Sequence, residues 1–501
     1  MTEAGLPLLS FMMLSLPVGA GLIWLVRDEK HARMIALLTA AIDLMFAVMI
    51  LLRFDRTQTG FQMVEKHDWI PTLNIHYYVG IDGISVLFLP LTVLLFIGVL
   101  LATWRSIRVL PRLYYSLLLL LESAILGIFC SLNTMLFFMF WELTLIPTYF
   151  LISLWGVGAN RRYAAVKYTL TMLAGGVPLL FGFILLAFNH AAVSNAALPT
   201  GLVFDYPALF ATVLPVEMQT MVFFLLLAGF AVKTPLFPLH TWLPTVAMEG
   251  PVTIVALMTG LKLGVYGLIR FVVPLSPDAA REFHWVLAGL GTIGILYGAL
   301  VAMSQTNLRS MLAYSSFSHV GLVVLGIASF NIQGFQGALF QLLNFSIVAG
   351  GIFLLTGWIH QRIGSTDIIS LGGLARSMPL LSSFFLLFGL TSMGMPGTSG
   401  FPAELLLIIG TFKSYTGAGL VVLVGIVLEA GYFLNLYRST FMGKIRHDVV
   451  ADTLDLQGRE LMVIGVFVIL ILVLGIYPDA LLDMTRVASE NWVNKVTMNP
   501  M

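Results

Sequence analysis

Four charged side chains stand inside apolar runs, where charge is costly. Glu142 lies in Phe140-Trp-Glu-Leu143, Lys233 directly precedes Thr234-Pro235, Lys262 lies in Gly260-Leu-Lys-Leu-Gly264, and Glu404 follows Pro402-Ala403. Two imidazoles, His240 and His319, have similarly apolar surroundings, and Glu122 lies within Leu121-Glu-Ser-Ala124. A Lys or Asp at mid-bilayer costs about 2.5–3.5 kcal/mol on insertion scales, so each such group needs a partner or a task. Carboxylates, lysines and imidazoles share one chemistry, the taking and giving of protons. A lysine that gains and loses a carboxylate neighbour can load and release a proton. Glu142 and Lys233 form a natural pair of that kind. Lys262 would pass the proton on, His319 would relay it through water, and Glu404 would be the last donor or acceptor. Any one of these residues alone can also be read as half of a structural ion pair locking helices together. A series spread over five separate apolar stretches favours the proton wire.

Composition fixes the elements that must position these groups. Of 501 residues, 59% are hydrophobic and 10% charged, with a formal net charge of +1. Soluble domains carry about 25% charged residues. A charge-poor chain of no net sign is neither a nucleic-acid binder with a basic surface nor a charge-rich disordered chain. The hydropathy pattern predicts an all-α polytopic membrane protein with about fourteen spans, near 5–26, 34–52, 82–104, 114–130, 132–154, 166–189, 220–247, 252–273, 284–303, 310–330, 336–359, 380–412, 417–437 and 461–477. Continuous apolar runs without a period of two argue against a barrel. Met1-Thr2-Glu3-Ala4 has no basic residue, so the first span reads as a retained helix, not a cleaved signal peptide. Loops after odd-numbered spans carry 15 Lys and Arg, against 8 on the opposite side and the C-terminal tail. The positive-inside rule then puts both termini outside the cytoplasm, in a membrane most simply the bacterial inner membrane. Arg270 and Arg309 are counted here among loop charges, which leaves Lys233 and Lys262 as the basic residues committed to the interior.

Spans 7 and 12 are long and interrupted, by Lys233-Thr-Pro-Leu-Phe-Pro238 and by Gly394-Met-Pro-Gly-Thr-Ser-Gly-Phe-Pro402. Pro235, Pro238 and Pro396 each remove a backbone donor, so each helix should break and expose polar backbone at membrane depth. The breaks lie five spans apart, an odd number, as two inverted five-span units would place them. The chain then divides into an N-terminal three-helix segment (1–112), a first five-helix repeat (113–273), a second, inverted repeat (274–440), and a C-terminal helix with a short tail (441–501). Asp43 and Glu429 also fall in spans and read equally well as half-buried partners of headgroup-level arginines. Asp82, in Gly80-Ile-Asp-Gly-Ile-Ser85, reads as a helix cap.

Motifs of soluble enzymes are nearly absent. Gly289-Leu-Gly-Thr-Ile-Gly294 matches a dinucleotide fingerprint but lies inside an apolar span, so it reads as a small-residue packing face. The single cysteine, Cys130, argues against a disulfide framework, a Cys-ligated iron–sulfur cluster and a structural zinc site. No histidine pair sits in one span at haem or zinc spacing. The chain is expected to hold no metal and no cofactor and to perform no redox chemistry itself.

Several stretches together resemble the antiporter-like membrane subunits of NADH:quinone oxidoreductase, respiratory complex I, of the subunit M or chain 4 type. They are Phe138-Met-Phe-Trp-Glu-Leu-Thr-Leu-Ile-Pro-Thr-Tyr149, Arg162-Tyr-Ala-Ala-Val-Lys167, Ala231-Val-Lys-Thr-Pro-Leu-Phe-Pro-Leu-His-Thr-Trp-Leu-Pro244, Leu261-Lys-Leu-Gly-Val-Tyr-Gly-Leu-Ile-Arg270, Tyr314-Ser-Ser-Phe-Ser-His-Val-Gly321 and Gly394-Met-Pro-Gly-Thr-Ser-Gly-Phe-Pro-Ala-Glu404. The resemblance implies fourteen helices, two inverted repeats and proton translocation, with key positions at Glu142, Lys233, Lys262 and Glu404 and with His240 and His319 lining the same hydrated axis. It implies flavin, iron–sulfur clusters and quinone in partner subunits, neighbouring antiporter-like subunits and lipid as contacts, and no nucleic acid. Where the family places a histidine in span 11, this chain has Gln341-Leu-Leu-Asn344. Asn344 cannot itself be protonated but can order bridging water. Competing assemblies are a multi-subunit cation/proton antiporter of the Mrp type and the membrane part of a hydrogenase or inorganic-carbon uptake complex. The Phe-Trp-Glu-Leu-Thr-Leu-Ile-Pro stretch favours complex I over the Mrp type.

Overall fold

The computed structural model describes residues 6–497; the Met1–Ala4 stretch and the first residue of the first predicted span lie outside them. The described chain is mostly helical. In order it runs α1 (Leu8–Leu25), α2 (Glu29–Arg53), a hairpin of β1 (Gln62–Ile70) and β2 (Ile75–Ile81), α3 (Phe88–Thr103), α4 (Pro111–Cys130), α5 (Thr134–Leu143), α6 (Leu145–Trp155) and α7 (Arg161–Val193). It continues through α8 (Val216–Lys233), α9 (Trp242–Glu249), α10 (Val252–Gly260), α11 (Leu263–Gly267), α12 (His284–Met303), α13 (Leu308–Ala328) and α14 (Ile332–Ile363). The last elements are α15 (Pro379–Ser392), α16 (Gly400–Ser414), α17 (Thr416–Phe441), α18 (Gly458–Ile476) and α19 (Asp479–Thr497), with short helical turns in the connections. Twelve helices among the described residues are long and apolar enough to cross a membrane. Shorter apolar helices, α3 and α15, stand where spans 3 and 12 were expected. The protein is a multi-pass integral membrane protein.

α14 is the spine. Every residue of its most apolar window is buried, and α10, α13, α16 and α19 pack around it. α1, α2, α17 and α18 form the periphery and turn Leu22, Leu38, Val427 and Ile469 outward, as a lipid solvent requires. α12 and α13 pack closely along Gly291 and Gly321: a Cβ on either glycine would sit within 2.7 Å of the other's carbonyl oxygen. The glycine-rich stretch is therefore a packing face, as its apolar setting suggested.

The interior holds two charges that the loop count misplaced. Arg270 is 4% exposed and Arg309 is 2% exposed. Arg270 lies on the wide turn Leu268–Val272 that continues α11. It grips Asp82 with two bonds of 2.6 and 2.7 Å. Asp82 does accept from the amides of Ile84 and Ser85 as a cap would, but the ion pair is its larger contact. The guanidinium also lies 5.4 Å from the Phe61 ring and 5.5 Å from Tyr266, which shields it. Arg309 donates to the Gly250 carbonyl. Each lies within a turn of a predicted span end, where hydropathy does not separate a loop from a buried helix terminus. The hairpin, which hydropathy does not register, is tied to α1 by Glu65, which accepts from the Leu9 amide at 2.9 Å and from the Ser10 hydroxyl. On β2, burial pushes the Tyr77 phenol up to about 12, so it stays a neutral partner for Ser10.

Candidate functional site

α8 ends at Lys233, where the sequence breaks the hydrogen-bond ladder. Pro235 has no N–H for the Ala231 carbonyl, which instead accepts from Leu236 at 2.9 Å. The Val232 carbonyl, freed by that shift, accepts from the indole of Trp242 on α9 at 2.8 Å. These two carbonyls are thus re-bonded, and the break places Lys233 at a helix terminus inside the bundle. Its Nζ donates to Thr144 Oγ1 at 3.0 Å and lies 3.9 Å from the centre of the Trp141 ring. Glu142 stands between those two contacts in sequence, yet Lys233 bonds to its neighbours and not to its carboxylate. Glu142 Oε1 has no hydrogen-bond partner. It occupies the space that a Cβ on Gly176 of α7 would take, 2.4 Å away.

A third break lies at Lys262, between α10 and α11, where φ is +37°. No proline signals it. Gly264, two residues on, lets α11 press against the end of α8: a Cβ there would lie 2.2 Å from the Thr234 nitrogen. The Lys262 Nζ, on a residue 4% exposed, donates to Ser316 Oγ on α13 at 2.5 Å. Lys233 and Lys262 line one small cavity of about 40 Å³ together with Thr144, Thr148 and Trp242, room for water by the usual volume criterion.

Ser316 also lines a second cavity, of about 30 Å³, with Ser315, His319, Gln341, Asn344 and Ser392. Asn344 Oδ1 accepts from Ser399 Oγ at 2.6 Å, the serine standing in the break before α16. His319 borders a third cavity, of about 20 Å³, with Glu404 and Glu429. Its Nδ1 faces the Ser315 carbonyl at 2.9 Å. Its Nε2 lies 2.9 Å from Glu429 Oε2 and 3.2 Å from the Ser392 carbonyl. All these neighbours are acceptors, so a ring with hydrogens on both nitrogens satisfies every contact. Ligating atoms of His319, Glu404 and Glu429 lie within 4.8 Å of one another, close enough to hold a cation. Within that cluster His319 Nε2 points at Glu429 Oε2, so the ring turns either a hydrogen or a lone pair toward the carboxylate according to its protonation.

The break before α16 is shaped around Glu404. Gly394 takes φ +68°, and a Cβ on it would sit 2.2 Å from Glu404 Oε2. Pro396 lies in the same turn, and Pro238 follows Phe237 through a cis bond. His240 is buried but stacks at 4.5 Å on Phe317 and 5.2 Å from Tyr297, and lines none of the three cavities. Glu122 on α4 is also apart. It and Asp43 on α2 are both fully buried, and all four of their carboxylate oxygens lack hydrogen-bond partners. Asp43 therefore has no arginine at headgroup level, and Glu429 pairs with His319 instead. A larger cavity, about 270 Å³, lies elsewhere, over the Asp82–Arg270 pair. Charge reading missed Thr144, Ser315, Ser316 and Ser392, because hydroxyls cost little in a helix and leave no hydropathy signal.

Residues 131–429 match the family model described as NADH:quinone oxidoreductase/Mrp antiporter, TM, which is more than half of the chain. The chain belongs to that family. The matched region holds Glu142, Lys233, His240, Lys262, His319, Glu404 and Glu429, and leaves out α1–α4 and α18–α19. Among family members, NADH-quinone oxidoreductase subunit M of Rickettsia bellii is 34% identical over 93% of both chains. NAD(P)H-quinone oxidoreductase chain 4 1 of Synechococcus elongatus is 38% identical over 95% of this chain and 90% of its own. A chain of respiratory complex I from Thermus thermophilus superposes with a TM-score of 0.87 at 29% identity, over 98% of this chain and all of that one. A chain of the Mrp complex from Dietzia shares the fold at a TM-score of 0.80 and 22% identity, over 98% and 99% of the two chains.

Proposed function

We propose that this chain is a proton-translocating, non-redox subunit of a complex-I-type NADH:quinone oxidoreductase. The carrying observation is continuity. Lys233 and Lys262 share a cavity, Lys262 is bonded to Ser316, Ser316 opens on the cavity of His319 and Asn344, and His319 borders the cavity of Glu404. A proton entering near Glu142 would move through Lys233, Lys262 and His319 to Glu404, with water in the gaps. Asn344 orders that water where the resemblance expects a histidine. Two inverted five-helix repeats, 113–273 and 274–440, would supply the two broken helices. Flavin, iron–sulfur clusters and quinone belong on this reading to partner subunits, and other antiporter-like subunits and lipid cover the flanks. The chain would sit in a bacterial inner membrane with both termini outside the cytoplasm.

Relatives named subunit M or chain 4 at 34–38% identity support this assembly over the Mrp type. The second reading, a cation/proton antiporter, is favoured by the acid-rich His319–Glu404–Glu429 cluster. Copurification separates them, since flavin and iron–sulfur proteins in the purified complex are expected here. The wire is tested with Lys233→Ala in the assembled complex. Quinone reduction should persist with proton translocation lost. Failed assembly, with residual complexes that still pump, would make the lysine structural.

A further inference from the structure

We infer that Glu429 is a proton carrier at the end of this path and forms a shared-proton site with His319 and Glu404. The inference rests on the proton-wire reading and gives a role in the path to a residue that the sequence marks only as an intramembrane acid. Glu429 lies on α17, whose Leu420, Leu423, Val424 and Val427 face outward, yet Glu429 itself is 6% exposed and points into the bundle. Both of its oxygens are engaged. Oε2 lies 2.9 Å from His319 Nε2, and Oε1 accepts from Ser392 Oγ at 2.8 Å. Ser392 is the last residue of α15, so the carboxylate is held at the near edge of the break in the second interrupted helix. Glu404, 4% exposed, lines the same small cavity with an Oε1 that has no hydrogen-bond partner. One imidazole thus stands between a bonded carboxylate and an unbonded one.

The transfer balances without any co-reactant. The His319 Nε2–H bond breaks and the Glu429 Oε2–H bond forms. The ring keeps its Nδ1 hydrogen on the Ser315 carbonyl and becomes neutral, as does the carboxylate. Reprotonation from the Lys262 side through the Asn344 cavity resets the ring. Glu404, free to accept, takes either that proton or the one that Glu429 releases. With two protons among its two acids and one imidazole beyond the one on Nδ1 the cluster is neutral, and a proton gained or lost leaves one buried charge that favours return to that count. Tyr432, one turn along α17, donates to Ser315 Oγ at 2.8 Å and so fixes the carbonyl side of the ring as well.

The test uses the intact complex in membrane vesicles and reads protons translocated per NADH oxidised. Glu429→Gln should lower that ratio to the level of Glu404→Gln, with NADH oxidation retained, and Glu429→Asp should restore it. A Glu429→Gln complex that pumps at the parent ratio overturns the proposal. Should the glutamine variant fail to assemble, Ser392→Ala keeps both titratable groups and removes only the hydroxyl on Oε1. A lowered ratio in that variant supports the assignment, and a parent ratio overturns it. If Lys233→Ala also pumps normally, the proton-wire reading itself fails. If Lys233→Ala abolishes pumping and Glu429→Gln does not, only the role of Glu429 fails.

Discussion

A single hydroxyl decides how Lys262 is held. Ser316 Oγ is its hydrogen-bond partner, and the nearest ring, Phe345, is 5.5 Å away. Hydrogen bonds to charged groups contribute about 1.5–3 kcal/mol. Ser316→Ala should therefore slow proton translocation by about one to two orders of magnitude while leaving the amount of assembled complex unchanged, as a vesicle pumping assay would show. Asn344→Leu should abolish pumping at similar assembly, since it empties the middle cavity of its water-ordering amide; unchanged pumping would remove Asn344 from the path. The charged members Glu142, Lys233, Lys262 and Glu404 were legible in the sequence because each pays a large insertion cost that a residue scan detects. The link between them was not. Lys233 pairs with Thr144 and Trp141 where Glu142 was expected, and only geometry separates a carboxylate from a threonine two residues along the chain.

Interrupted helices carry the site. Two of the three breaks were legible, at Pro235 and at Gly394–Pro402, because proline and glycine announce them. The third, at Lys262, has neither at the turning residue. There tertiary packing overrides local preference, with Gly264 admitting the end of α8 and Ser316 holding the ammonium. Two glycines in the second break differ in what they make room for. Gly394 and Gly397 both take positive φ, at +68° and +86°, but only Gly394 has a neighbour within 4 Å, the Glu404 carboxylate. A side chain in the left-handed region costs about 1–2 kcal/mol at either position. Gly397→Ala should therefore lower thermal stability alone. Gly394→Ala should in addition displace Glu404 and lower the proton-to-NADH ratio, and equal effects of the two variants on that ratio would contradict the placement of Glu404.

The molecule as a whole is a bundle around α14, closed on the hairpin side by the Asp82–Arg270 pair. Removing one partner of a buried pair leaves an uncompensated charge, at a cost of about 3–5 kcal/mol. Arg270→Met should lower the melting temperature of the detergent-solubilised complex markedly. Adding Asp82→Leu should recover part of that loss, the non-additivity expected for contacting residues. The all-helical class and the order of the helices were legible in the apolar runs. The hairpin was not, since β1 carries Glu65, Lys66, His67 and Asp68 and neither strand makes a long apolar run, and neither was the interior place of Arg270.

Three small cavities separated by side chains, not one continuous channel, also set what the protein does when idle. A membrane holding a potential stores about 2.3 kcal/mol per elementary charge for each 100 mV, and an open water column would discharge it. Here each gap is plugged by a residue that must release one partner before it can take another: Lys262 on Ser316, His319 on Glu429. On the proton-wire reading the resting chain would be an insulator. Conduction would be a transient that energy delivered from elsewhere must provoke, so a stalled complex would keep its membrane charged.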